Sequence, residues 1–229
     1  MKRIALTIIM SLLTVASFAQ NNNRGKDYDW ANFTKYEAAN AEVTTNPVVV
    51  FMGDSITEYW VSQDPDFFTS NNFIGRGISG QVTMQMLSRF QRDVIELHPK
   101  VVVINSGTND IAKNNGNIKP ENVVSGIQSM CELARMHGIT PVIASVLPCN
   151  RFFWNQEARP AQDIIALNKL IKAYADAAGI MYVDYHTEMR AADGSLPEVY
   201  TQDGCHPIIA GYKKMESIVL PYIQKALAL

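Results

Sequence analysis

From residue 47 onward, short apolar runs alternate with longer amphipathic segments. Val48 to Met52 is an unbroken apolar run, rich in β-branched residues and closed by Gly53. Val101 to Ile104, Ile139 to Leu147 and Ile180 to Val183 repeat the pattern. Phe73-Ile74, closed by Gly75 and Gly77, is a weaker fifth. Runs without polar alternation suit parallel strands covered on both faces. Between them, apolar residues recur at intervals of three and four. One such segment opens at Ser79 or Gly80 and carries Val82, Met86, Leu87 and Phe90. The next starts at Pro120 and stops at Gly138, with Val123, Ile127, Met130 and Ala134 on one face. A third carries Ile164, Leu167, Ile171, Tyr174 and Ala178 and stops at Gly179. The last begins near Ile208 and is interrupted by Pro221. Proline at a helix start and glycine just past its end are the expected punctuation. Trp30, Phe33 and Tyr36 predict one more short helix, over 28–40. Strands alternating with helices predict a three-layer α/β/α fold around a parallel sheet. Ligands of such sheets sit beyond the carboxyl ends of the strands.

The first residues stand outside this pattern. Met1-Lys2-Arg3 is positive, Ile4 to Val15 is apolar, and Ser17-Phe18-Ala19 puts small residues before Gln20. This is the layout of a signal peptide over residues 1–19. The apolar run is shorter than the ~20 residues of a spanning helix, and no cysteine lies near the cut. Export to the periplasm or beyond, without a stable membrane anchor, is therefore expected. The mature chain divides into an N-terminal segment, 20–46, flexible and polar over Asn21 to Lys26, and one domain, 47–229.

Composition narrows the function classes. The 229 residues carry 20 basic and 22 acidic side chains, a formal charge of −2. Loss of the first 19 residues, with two basic side chains, leaves 210 residues at −4. No basic stripe is available to neutralise phosphates, which excludes nucleic acid as a partner. Three cysteines cannot frame a fold of this size, so a buried core must hold it.

Chemistry-bearing residues fall where strands end. Gly53-Asp54-Ser55-Ile56-Thr57 follows the first strand. Ser55 there is either a helix cap or a nucleophile, with helix N–H groups beside it to stabilise negative charge. Gly107-Thr108-Asn109-Asp110 follows the run 101–104. Asn109 either makes a turn or donates its amide to an oxyanion. Asp203-Gly204-Cys205-His206-Pro207 stands near the C-terminus. A carboxylate three residues before a histidine can fix its tautomer and free the other nitrogen as a base. The alternatives are a turn with a surface histidine, or a metal site. Two ligands are too few for the latter, and no HExxH-type motif occurs.

Together these blocks resemble the SGNH, or GDSL-type, ester hydrolases from Pro47 to about Tyr222. The blocks stand in order: Val50 to Thr57, Gly77-Ile78-Ser79-Gly80-Gln81, Gly107 to Asp110, and Asp203 to Pro207. Phe51 to Trp60 and Arg76 to Gln81 look like the branch of platelet-activating-factor acetylhydrolase and bacterial carbohydrate O-acetylesterases. The resemblance implies a five-stranded, flavodoxin-like parallel sheet and a hydrolase needing no metal or organic cofactor. It makes Ser55 the nucleophile, His206 the base and Asp203 its orienting acid. The backbone N–H groups of Ser55 and Gly80 and the Asn109 amide become the oxyanion hole. Ile208 and Ser106 depart from the usual residues at their positions without removing a catalytic group.

The implied activity is ester hydrolysis, with acetyl removal from carbohydrate as the first reading. A lysophospholipase or thioesterase is the second, and a glycan-binding module without catalysis the third. Arg151, Phe152, Phe153 and Trp154 follow the run 139–147 and are candidates for substrate binding or loop packing. Trp60 and Tyr200 are further pocket candidates. Arg76 is read as a structural ion pair more readily than a substrate contact. Asp54 and Asp110 are read as structural, and His98, His137 and His186 as loop or surface residues. Cys131 reads as core, whereas Cys149 and Cys205 fall on neighbouring loops where a disulfide could pin the His206 loop.

Overall fold

The computed structural model describes residues 29–229; the signal peptide expected over residues 1–19 and the polar stretch after it lie outside them. Five strands, β1 (Val49–Gly53), β2 (Phe73–Gly77), β3 (Val101–Asn105), β4 (Thr140–Ala144) and β5 (Met181–Val183), form one sheet in the order β2-β1-β3-β4-β5. Every pairing is parallel. The helices are α1 (Glu37–Ala41), α2 (Ser55–Gln63), α3 (Pro65–Thr69), α4 (Thr83–Asp93), α5 (Thr108–Ile111), α6 (Pro120–Met136), α7 (Pro160–Ala178), α8 (Tyr185–Met189) and α9 (Ile209–Leu227).

Strand periodicity sorts the core into two layers. Val50, Met52, Val102, Ile104 and Ile143 face Met86, Phe90, Ile127, Met130, Leu167 and Ile171, on α4, α6 and α7. Val49, Phe51, Val101, Val103 and Val142 face Ile56, Trp60, Phe67, Met215 and Val219, on α2, α3 and α9. Both faces are buried, so the strands read as continuous apolar runs. Helix punctuation follows the residues: Pro120 and Pro160 stand in the first turns of α6 and α7, and Gly179 ends α7 in the left-handed conformation, at φ 61°.

Four elements differ from the periodicity. The N-terminal helix covers only α1, because the Asp29 carboxylate takes the Phe33 and Thr34 N–H groups at 2.6 and 3.1 Å and folds the chain into turns. β4 stops at Ala144, since the Val146 N–H and carbonyl both bond the Asn168 side chain, at 2.8 and 2.9 Å. α4 opens at Thr83 rather than at 79 or 80; Gly80 is left-handed at φ 78°, and Asp110 Oδ2 accepts the Thr83 N–H at 3.0 Å. α9 continues through Pro221, held to the sheet by Met215 and Val219 before it and Ile223 and Ala226 after it.

Residues 29–46 are fastened to the sheet edge by polar contacts. Gln81 Nε2 donates to the Ala31 carbonyl at 2.7 Å, and the Tyr36 hydroxyl donates to the Gly77 carbonyl. Arg76 is buried here. It donates to Asn40 Oδ1 at 2.8 Å and lies 4.7 Å from the Tyr36 ring centre. Among the described residues it is not half of an ion pair, and its contacts are structural.

Candidate active site

At the carboxyl end of β1 the chain turns straight into α2. Asp54 is the cap, its Oδ1 accepting the Ile56 N–H at 2.9 Å. Ser55 is consequently the first helical residue, and its hydroxyl is not spent on capping. Close packing requires the glycines on either side. A Cβ at Gly77 would lie 2.3 Å from the Glu58 nitrogen, and one at Gly53 would lie 2.1 Å from Thr57 Oγ1.

Ser55 Oγ lies 2.9 Å from His206 Nε2. His206 Nδ1 lies 2.6 Å from Asp203 Oδ2. Asp203 Oδ1 accepts the backbone N–H groups of Cys205 and His206 at 2.8 and 2.7 Å. The turn is closed by Thr201, whose hydroxyl donates to the His206 carbonyl at 2.7 Å and accepts the Gly204 N–H at 3.1 Å. Partial burial favours a neutral Asp203. The hydrogen bonds from His206 and Cys205 outweigh it and hold the carboxyl below the usual range. An ionised Asp203 places the imidazole proton on Nδ1, leaving Nε2 to accept from Ser55. Such a chain can withdraw the serine proton as its oxygen attacks a carbonyl.

Beside it, the loop after β2 carries Gly80. Glu58 holds this loop, its Oε2 accepting both the backbone N–H and the hydroxyl of Ser79 at 2.7 Å. Asn109, on α5, is 3 % exposed and directs Nδ2 to the Gln81 carbonyl at 3.0 Å and to Asp54 Oδ2 at 3.2 Å. Gly107, at φ 123°, makes the turn that brings Asn109 back over the sheet. Ser55, Gly80, Asn109 and the Asp203–His206 pair are thus brought together from four separate segments. Asp54 is fully buried, which pushes its carboxyl up to about 6. Asp110 Oδ2 takes both the N–H and the hydroxyl of Thr83. Both acids have structural contacts, as the sequence suggested.

Three aromatic rings surround His206, with centres 5.3 Å (Tyr59), 5.8 Å (Trp154) and 6.3 Å (Phe153) from the imidazole. Tyr59 did not figure among the sequence candidates. It lies one helical turn after Ser55, and that spacing was its signal. Glu58 and Asn114 are two further neighbours that the sequence did not single out. Phe152 is 1 % exposed and belongs to the core beneath Trp154, so it forms no pocket wall. Trp60 is equally buried, stacked between Phe67 and Tyr212. Tyr200 packs toward the α9 layer, its carbonyl accepting the Ile208 N–H at 2.8 Å. Arg151 lies against Gly204. With Asn150, Asp193, Glu198, Thr201 and Gln202 it lines a polar cleft of about 490 Å³ behind the His206 loop.

One remaining expectation needs correction, and one alternative left open by the sequence is not taken up. His186 is buried, 5 % exposed, with its backbone N–H on Ser145 Oγ at 2.9 Å. All three cysteines are free. Cys149 and Cys205 are buried in one cluster, but the Cys149 thiol donates to the Arg151 carbonyl at 2.8 Å instead of bridging.

The chain belongs to the GDSL-like lipase/acylhydrolase family, which it matches over residues 51–214. A GDSL-like lipase from Bacteroides thetaiotaomicron is 45% identical, with a TM-score of 0.83 over 86% of this chain and 100% of that one. An acetyl xylan esterase shares the fold at 21% identity, with a TM-score of 0.61 over 75% of this chain and 99% of that one. An uncharacterized lipoprotein of Bacillus subtilis (strain 168) is 25% identical over 138 residues, 58% of this chain and 48% of the lipoprotein. The chain spans about half the length of that curated relative.

Proposed function

We propose that this chain is an exported serine esterase that removes short acyl groups, above all acetyl, from carbohydrate. The observation that carries the reaction is the unbroken run of hydrogen bonds from Asp203 through His206 to Ser55. Ser55 Oγ attacks the ester carbonyl while His206 Nε2 takes its proton. Asp203 keeps the imidazole in the right tautomer and stabilises the imidazolium. The backbone N–H groups of Ser55 and Gly80 and the Asn109 amide hold the oxyanion, each donor contributing about 3 kcal/mol in the transition state. Asn109 does so by yielding its longer bond, the one to Asp54. His206 then protonates the leaving alcohol, and it activates water to release the acid and restore Ser55.

Three features support the finer reading. The rings of Tyr59, Phe153 and Trp154 crowd the space above His206, which suits an acyl group of two carbons better than a long chain. Exposed aromatic faces next to a polar cleft suit a sugar, which stacks through its C–H face and bonds through its hydroxyls. The similar fold of an acetyl xylan esterase agrees with this. Export is supported by the pattern of residues 1–19 and by the lipoprotein relative. The catalytic domain is then 47–229, preceded by the segment 20–46, of which residues 29–46 close the sheet edge.

Hydrolysis of p-nitrophenyl esters from acetate to palmitate, beside acetate release from acetylated xylan and pectin, tests this reading. The expected result is fastest turnover at acetate and acetate release from at least one polymer. Rates rising with chain length would overturn it in favour of a lysophospholipase or thioesterase.

A further inference from the structure

Asn114 lies outside every motif, yet its side chain contacts two of the three oxyanion-hole residues, Asn109 and Gly80. The chain leaves α5 through Lys113, which is left-handed at φ 61°, and the Asn114 N–H returns to the Asn109 carbonyl at 3.1 Å. The two asparagine side chains are thereby set side by side. Asn114 Nδ2 donates to Asn109 Oδ1 at 2.7 Å and lies 3.4 Å from the Gly80 carbonyl. On its other end, Asn114 Oδ1 accepts the Trp154 indole N–H at 3.1 Å.

Each bond determines the next. The indole can only donate, so the Asn114 amide must present oxygen to Trp154 and nitrogen to Asn109. That nitrogen needs an acceptor, so Asn109 must present Oδ1 to it and Nδ2 to the catalytic side. Asn109 is buried, and its oxygen would otherwise be left unpaired. The geometry points to Asn114 as a positioning residue: it locks the Asn109 amide as an oxyanion donor and couples that lock to the aromatic loop at Trp154. This rests on Asn109 serving as an oxyanion donor, as set out above.

Asn114 is itself exposed, so its replacement leaves the core intact. The test uses the full chain as Asn114→Ala, Asn114→Asp, Trp154→Phe, the Asn114→Ala/Trp154→Phe double variant, and Asn109→Ala as reference. The readouts are kcat and KM on p-nitrophenyl acetate and the inhibition constant of a phenylboronic acid, whose serine adduct is tetrahedral. Asn114→Ala is expected to lower kcat about 3- to 10-fold, the scale of one hydrogen bond. KM should stay within about twofold, and boronate affinity should weaken with kcat. Asn114→Asp keeps the acceptor for Trp154 but turns an oxygen toward Asn109 Oδ1, so it should lose at least as much. Trp154→Phe should cost less, and its cost should vanish in the Asn114→Ala background. Unchanged kcat in both Asn114 variants, with Asn109→Ala impaired, would overturn the positioning role alone. An inert Asn109→Ala would overturn the oxyanion assignment and the proposal together. Additive losses in the double variant would overturn the coupling to Trp154.

Discussion

Ser55 and His206 meet across 151 residues of chain, and they are held by opposite means. The serine stands in a continuously buried stretch, where every residue from Val49 to Thr57 is buried. Behind it lies Arg89, with no exposed surface. Its guanidinium donates to the carbonyls of Gly53 at 3.0 Å and Arg76 at 2.9 Å and to Gln81 Oε1 at 2.6 Å, and it pairs with Asp93 at 2.9 Å. One buried cation thus ties the end of β1 to the end of β2 and to the loop carrying Gly80. The histidine stands on an irregular segment between α8 and α9. Its side chain and that of Asp203 are 16% and 31% exposed, and the contacts that orient it are local, within 201–206. Ser55 is placed by the whole fold, His206 by one turn. Damage behind Ser55 should therefore appear as lost stability, and damage in the turn as lost turnover in a folded protein.

The largest effects should fall on chemistry alone. Ser55→Ala and His206→Ala should each lower kcat by about 10⁴- to 10⁶-fold while leaving the urea midpoint in place. Asp203→Asn should cost about 10⁴-fold through the wrong imidazole tautomer, because its Oδ1 can still accept the two backbone N–H groups of the turn. A midpoint that drops sharply in Asp203→Asn would mean the loop is a structural element after all.

The Arg89 side should give the reverse pattern. Arg89→Met leaves Asp93 buried without its partner and should destabilise the fold by about 3–5 kcal/mol in urea titrations. Arg89→Met/Asp93→Leu should recover the part of that loss due to the unpaired charge, but not the part due to the orphaned carbonyls of Gly53 and Arg76. A single variant as stable as the wild type would erase the contrast between the two sides.

A smaller effect concerns Asp54. Its folded carboxyl sits at about 6 because burial disfavours charge, against an ordinary value of 3.8. The folded state holds this proton more tightly than the unfolded chain does. Its contribution therefore favours folding at low pH and is lost as pH rises from about 4 through 6. The loss is on the order of 3 kcal/mol. Asp203 has the opposite sign: its stabilising share is present above the ordinary carboxylate value and lost as pH falls below it. Urea stabilities from pH 4 to 7 should fall less steeply in Asp54→Asn than in the wild type. Parallel curves would show that Asp54 does not carry this dependence.

Legibility in the sequence followed the same division. The strands behind Ser55 were readable because burial on both faces writes an unbroken apolar run, and α6 and α7 because proline and glycine mark their ends. The residues that meet at the site were readable as motifs following strands, although only the fold brings them together. Arg89 was hidden, since an arginine within an amphipathic helix reads as solvent-facing. Trp60 and Phe152 were misjudged because local sequence does not say which side of a loop or helix an aromatic ring takes. Asn114 was invisible for a related reason, its role depending on a left-handed lysine and an indole 40 residues away. Asp29 ended the N-terminal helix by a side-chain bond that outcompeted apolar spacing.

The most direct test is covalent. The protein is treated with an alkyl fluorophosphonate, which captures an activated serine, and the adduct is located by peptide mass spectrometry. A single adduct on Ser55, formed rapidly in the wild type and at least about 10²-fold more slowly in His206→Ala, is the expected result. Ester hydrolysis by the wild type with the label on another residue, or labelling of Ser55 at the same rate without His206, would contradict it.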